Sequence, residues 1–230
     1  MVRRLQILLL FLFRGIVEVM SHREHSQPME VHEIIRPRIL LAACGTEAAV
    51  DFTYLCHCFS QWADVQAVAT ENATRFINVE LLPPHVHLYE SDWGTWTKLG
   101  DQVTHIELRK WADILVIAPL SANTLAKLQI SCGLCDNLLT SIVRAWDWDN
   151  SKPLVVAPDM DPLVWKSSLT ENQMIGIEDL GVYLIRPVRK IVEGVDRGLG
   201  TMEGPSIIVS TVKSILNSNI KRSRGSRVPR

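Results

Sequence analysis

The run Ala118-Pro119-Leu120-Ser121-Ala122-Asn123-Thr124 closes a long apolar stretch with three polar side chains in four residues. If a strand ends there, Ser121, Ala122, Asn123 and Thr124 present hydroxyls, an amide and several backbone N–H groups at one tip. Such a set suits a phosphate, a ribityl chain or the polar edge of a flavin ring. Capping of a following helix accounts for Ser121 but not for the other two polar residues. Gly45-Thr46-Glu47-Ala48-Ala49 is a second small-residue turn, able to offer free N–H groups and a positive helix end to an anion. Every strand-to-helix turn needs similar residues, so this motif alone separates no ligand from none. His105 is a candidate proton carrier, although a histidine on an amphipathic helix serves packing equally well. Cys132-Gly133-Leu134-Cys135 has C-x-x-C spacing but no matching second pair, and reads as ordinary thiols rather than a metal site. His22, His25 and His32 lie in a polar stretch and read as a solvated tail.

The elements that must position these residues follow from periodicity. Apolar runs predict strands over Arg38–Cys44, Asp64–Thr70, Val86–Tyr89, Asp113–Pro119, Pro153–Pro158 and Val182–Pro187. Helical spacing links Ala48, Phe52, Leu55 and Phe59, and helices are expected over Val103–Ala112, Ser121–Ile130 and Asp136–Trp148. Pro205 stands at a first helical position, with Ile208, Val212 and Ile215/Leu216 as the apolar stripe behind it. Strands alternating with helices predict an α/β three-layer sandwich with a mainly parallel sheet. Ligands bind such sheets beyond the carboxyl ends of the strands, which is where Gly45–Ala48, Thr70–Phe76, Pro119–Thr124 and Pro158–Trp165 fall.

Composition narrows the functional classes. A net charge of −1 gives no broad attraction to nucleic acid or anionic membrane. Five cysteines, an odd number, suggest no disulfide framework and point to a reducing, cytoplasmic setting. The apolar stretch Leu5–Phe13 follows Arg3-Arg4 but is too short to span a bilayer, and no small-residue cleavage site follows it. Residues 1–36 read as a dispensable leader and polar tail, with Met1, Met20 and Met29 as possible starts. Residues 37–219 read as one domain, and 220–230 as a basic, disordered tail.

Several of these segments together carry a resemblance. Leu41-Ala42-Ala43 with Gly45, His105-Ile106-Glu107-Leu108, Trp111-Ala112-Asp113, Ala118–Lys127, Gly133–Thr140 and Arg144-Ala145-Trp146-Asp147 resemble the plant-type phosphopantothenoylcysteine decarboxylases. These halotolerance flavoproteins belong to the flavin-containing cysteine decarboxylases. The resemblance covers about Pro37 to Asn217. It implies a flavodoxin-like (Rossmann-like) fold, a bound FMN, a homotrimer or a heterotrimer with a related chain, and sites between protomers. The implied activity is decarboxylation of 4'-phosphopantothenoylcysteine to 4'-phosphopantetheine in coenzyme A biosynthesis. By position, the resemblance places FMN contacts at Thr46, Ala48, Thr70, Asn72, Phe76, Ser121, Ala122, Asn123, Thr124 and Ala157. It makes His105 the catalytic histidine, and Met160 and Asp161 part of the substrate loop.

Departures from the pattern fall on the chemistry. The loop Pro158-Asp159-Met160-Asp161-Pro162-Leu163-Val164-Trp165 has Asp161 where the family has a carboxylate-binding Asn. An ionised Asp about 4 Å from a substrate carboxylate would repel it by ~4 kcal/mol at an effective dielectric near 20. The family's reducing cysteine aligns with Gly194, Glu47 and Asp51 add negative charge beside the phosphate turn, and Gln129–Cys132 lengthens a loop by two residues. Three readings stand: an active decarboxylase, an impaired FMN-binding partner or regulatory subunit that supplies only the histidine, and a flavoprotein that stops after oxidative decarboxylation.

Overall fold

A computed structural model describes residues 36–92, 97–129, 134–149 and 152–225. Six parallel strands form the central sheet: β1 (Arg38–Ala43), β2 (Asp64–Ala69), β3 (Leu88–Tyr89), β4 (Ile114–Leu120), β5 (Leu154–Pro158) and β6 (Tyr183–Leu184). Their order is β3-β2-β1-β4-β5-β6, with β1 paired to both β2 and β4. This is the doubly wound order, whose chain direction reverses on either side of β1. All six strands anticipated from the sequence are present, five with narrower limits and β4 shifted by one residue to end at Leu120.

Successive side chains of a strand face opposite sides of a sheet, and both sides here are apolar. Ile39, Leu41, Ala43, Ile114, Val116, Ala118, Val155 and Ala157 enter one core. That core is closed by α1 (Phe52–Ser60) and by the last helix, through Phe52, Leu55, Phe59, Ile208 and Val212. Leu40, Ala42, Leu115, Ile117, Leu154 and Val156 enter the other core. There they meet α2 (Thr104–Trp111), α3 (Ala122–Leu128), α4 (Leu138–Arg144) and α6 (Ser168–Asp179); α5 (Pro162–Trp165) is a single turn between β5 and α6. Helices on both faces make the three layers.

Several features depart from the sequence reading. The helix expected from Ala48 starts as a 3-10 turn over Glu47–Asp51 and becomes α-helical only at Phe52. The helix expected over Asp136–Trp148 is shorter, because Asn137 and Thr140 form a reciprocal capping box that fixes its start. Residues after β6 add an unanticipated antiparallel hairpin of β7 (Val188–Val192) and β8 (Val195–Thr201). The last helix, α7 (Pro205–Gly225), runs past residue 219, so the boundary expected there falls inside it. Residues 1–35, with the expected leader, lie outside the described residues. Among the described residues no helix is long and apolar enough to cross a membrane.

Lys152 secures α2 from below. Its Nζ donates to the carbonyls of Arg109 at 2.9 Å, Lys110 at 3.1 Å and Ala112 at 2.6 Å, the oxygens a helix end leaves without partners. Burial and the neighbouring charge of Arg109 lower the Lys152 ammonium from its ordinary value, which moderates what the contact contributes. At the foot of β1, burial alone would raise the Asp113 carboxyl. Its bonds to the Arg38 guanidinium and backbone outweigh that and hold it below its ordinary value. The stability from this depressed group is present above the unfolded carboxyl value and is lost as pH falls through the folded one. Replacing Lys152 with Ala should cost about 1–2 kcal/mol, read as a lower urea midpoint with an unchanged slope. A shift within measurement error would mean that water replaces the ammonium on those carbonyls.

Candidate active site at the strand tips

The segments after β1, β2, β4 and β5 all lie at the carboxyl edge of the sheet. The turn after β1 is locked to the turn after β2: Thr70 N–H donates to Ala43 O at 3.0 Å, and Ala73 N–H to Thr70 O at 2.8 Å. Gly45 packs so closely on this second turn that an added Cβ would lie 2.4 Å from Asn72 Cβ. Only glycine permits that approach. Asn72 and Phe76 follow on the same turn, both exposed.

On the other side of β1, Cys44 N–H donates to Pro119 O at 3.0 Å, which joins the β1 tip to the β4 tip. Ser121 caps α3, its hydroxyl accepting from Thr124 N–H. The Thr124 hydroxyl is buried between Cys44 Sγ and Ser121 Oγ, both 3.2 Å away, so it holds the turn from inside. Asn123 is exposed at the start of the helix, and Ala122 is half-buried beside it. Burial raises the Cys44 thiol above its ordinary value despite the Thr124 bond, and it raises Cys56 to about 12.

Thr46 caps the 3-10 turn without a side-chain capping bond, and its buried Oγ1 has no hydrogen-bond partner. A buried hydroxyl left unpaired costs stability. It therefore marks a place where a polar ligand atom fits. With the Gly45 cradle and the exposed Asn72 and Asn123, the described residues fit a phosphorylated flavin at these tips.

The buried Ala157, near the end of β5, leads to Met160 and Asp161. Met160 N–H donates to Gly200 O at 2.9 Å, so the end of β8 lies against this loop. Asp161 is exposed and caps α5, its Oδ1 accepting from Leu163 N–H at 2.8 Å, with Pro162 behind it. Asn and Asp cap helices about equally well. At this position the fold would accept either residue, and only the charge would differ.

Gly194 is a corner of the β7–β8 hairpin. Val192 pairs with Val195, and the two-residue loop has φ of 52° at Glu193 and 78° at Gly194. Positive φ at both centres is the type I′ arrangement, which favours glycine. A Cβ at Gly194 would meet nothing within 4 Å, so a cysteine has room but must adopt a left-handed backbone.

His105 is the second residue of α2. That helix leads into β4 and runs back along the sheet, so its start shares the carboxyl edge. The ring is fixed by Asp92, which periodicity does not reveal. His105 Nδ1 lies 2.7 Å from Asp92 Oδ2, and His105 backbone N–H donates to Asp92 Oδ1 at 3.0 Å. The Thr104 hydroxyl donates to the Asp92 carbonyl at 2.9 Å. Asp92 thus caps the helix start and engages one ring nitrogen, leaving Nε2 for proton exchange. Cys132 and Gly133 of the C-x-x-C run, part of the Gln129–Cys132 loop, and Trp93 to Trp96 fall outside the described residues.

The Flavoprotein family profile matches residues 28–217. The chain belongs to the Flavoprotein family. It is 57% identical over 190 residues to phosphopantothenoylcysteine decarboxylase HAL3 of Malus domestica, covering 82% of this chain and 87% of that one. It is 50% identical over 202 residues to phosphopantothenoylcysteine decarboxylase of Arabidopsis thaliana, covering 86% and 95%. Among solved structures, it is similar to a cysteine-to-serine variant of PPC decarboxylase complexed with pantothenoylaminoethenethiol. That likeness has a TM-score of 0.74 and 50% identity, over 79% of this chain and 99% of that one. The FMN binding protein AtHal3 gives the same TM-score at 51% identity, over 80% and 98%. This member of the family therefore has decarboxylases as its relatives over nearly its whole described domain.

The unpaired Thr46 hydroxyl yields a direct test. Thr46→Val keeps the shape and removes the orphan, so ligand-free protein should gain about 1 kcal/mol in urea unfolding. A loss of similar size would show that the hydroxyl is satisfied in solution.

Proposed function

We propose that the chain takes part in FMN-dependent decarboxylation of 4'-phosphopantothenoylcysteine to 4'-phosphopantetheine, a step of coenzyme A biosynthesis. The observation that carries this reading is the His105–Asp92 pair at the same sheet edge as the orphaned Thr46 turn. In this reading Thr46, Ala48 and the Ser121–Thr124 turn hold the flavin, while Thr70, Asn72, Phe76 and Ala157 flank it. FMN bound there supplies two-electron oxidation of the substrate's cysteinyl thiol and the later return of those electrons. Asp92 holds the imidazole by Nδ1, and Nε2 takes or returns the substrate proton. Met160 and Asp161 meet the substrate carboxylate.

Two features favour a divided site, in which this chain supplies His105 and a related chain supplies the Asn and the Cys. Asp161 keeps its capping bond and brings a charge of the wrong sign; Gly194 keeps its turn and offers no acid. Assembly as a trimer fits the apolar surface better than it fits the tryptophans. Trp146 and Trp148 spend their indole N–H groups inside the protomer, on Lys152 O and Val143 O. Val50, Tyr54, Phe76, Val79 and Leu81 are exposed, and α1 meets the Leu81 segment through His57 Nε2, 2.9 Å from Leu81 O.

Purified protein should be yellow and release FMN on denaturation. Alone it should make phosphopantetheine slowly, and Asp161→Asn with Gly194→Cys should raise that rate by about a hundredfold or more, since both changes act on one reaction. His105→Asn should abolish activity in mixtures with a partner that lacks its own histidine, with flavin colour retained. An unmodified homo-oligomer that works at an ordinary enzymatic rate would instead establish a self-sufficient decarboxylase.

A further inference from the structure

Asp159 follows β5, and its backbone still continues the sheet, N–H to Leu120 O at 3.0 Å. Its side chain is only 9% exposed. Oδ2 accepts from Ala48 N–H at 3.3 Å, and Oδ1 accepts from Met202 N–H at 3.0 Å. Among the described residues no lysine, arginine or histidine forms an ion pair with it. A buried carboxylate without a cation persists only where N–H groups take its charge. One of those N–H groups belongs to the turn after β1, the same turn whose Thr46 hydroxyl is buried and unpaired. The turn is thus half committed: one amide serves an internal anion, and one hydroxyl serves nothing.

We infer that Asp159 is an intramolecular competitor for the flavin phosphate, and that it sets both the affinity for FMN and the preference for FMN over riboflavin. The inference rests on the reading that the Thr46–Ala48 turn holds that phosphate. A phosphate and a carboxylate both present oxygen acceptors to backbone N–H groups, so the two compete for the Ala48 amide. They also repel each other, and burial leaves that repulsion weakly screened. Glu47, next to the same amide, adds charge of the same sign. The isoalloxazine ring and ribityl chain are uncharged, so Asp159 acts on them far less. In this chain the phosphate therefore adds little to flavin binding until Asp159 is displaced.

The test uses full-length protein and two flavins that differ only by the phosphate, followed by quenching of flavin fluorescence. The unmodified chain should bind FMN no more than about threefold tighter than riboflavin. Asp159→Asn, which keeps an acceptor for one amide and removes the charge, should tighten FMN at least about tenfold and change riboflavin less than about twofold. Asp159→Ala should move FMN in the same direction. Because Asp159 also ties the β5 tip to Met202, the Asn variant carries the conclusion if the Ala variant unfolds. Unchanged or weaker FMN binding by an Asn variant that still binds riboflavin overturns the inference and leaves the FMN reading intact. Equal tightening of both flavins also overturns it. Absence of binding for either flavin, in every protein, removes the FMN reading itself and the inference with it.

Discussion

Residues 39 to 43 of β1 have no exposed surface, and a strand buried on both faces cannot lie at the surface of anything. Helices must cover both sides of the sheet, and each crossover must leave from the carboxyl end of one strand to re-enter at the amino end of the next. Every strand-to-helix turn is thereby delivered to one edge. The chain reverses its winding on either side of β1, so the turns after β1 and β4 part to opposite faces and open a crevice between them. Burial of five apolar residues brings together Thr46, Ser121, Asn123 and the loop after β5, although none of those residues drives the folding.

Within that frame the polar residues divide by where their bonds go. The Thr124 hydroxyl and the Ser121 side chain are spent internally, closing the α3 start and steadying Cys44. The Thr46 hydroxyl is not spent at all. Asp92 performs two tasks with one carboxylate, capping α2 and engaging His105, so the orientation of the ring depends on the register of the helix. Lys152 then holds the opposite end of that helix. The histidine is positioned by contacts at both ends of an eight-residue helix rather than by packing around the ring alone.

The strands were legible because each is a short apolar run bounded by turn residues. Helix α6 was not, because its buried face includes Thr170 and Gln173 among Met174 and Ile177, which blurs the apolar stripe. The β7–β8 hairpin was hidden by charged residues along its strands and by a Glu193-Gly194 corner in place of the more recognisable Asn-Gly. Asp92 stands thirteen residues before His105 across a loop, a separation that no period reports. Asp159 escaped for a different reason: only the folded chain shows it reaching Ala48. Asp161 and Gly194 each satisfy the backbone they occupy, one as a helix cap and the other as a turn corner.

The buried Cys44 has a consequence for how the protein meets oxidants. Thiols react as thiolates, and burial keeps Cys44 in its protonated form at neutral pH. The sulfur nearest the strand tips is thus chemically quiet, and burial raises the Cys56 thiol in the same direction. Exposed Cys135 and half-buried Cys58 are the described thiols open to reagent. Peroxide generated by a flavin reacting with oxygen would mark the surface of the molecule before it reached the crevice. The rate at which the inner sulfurs become alkylated would then report how often the sheet's carboxyl edge comes apart.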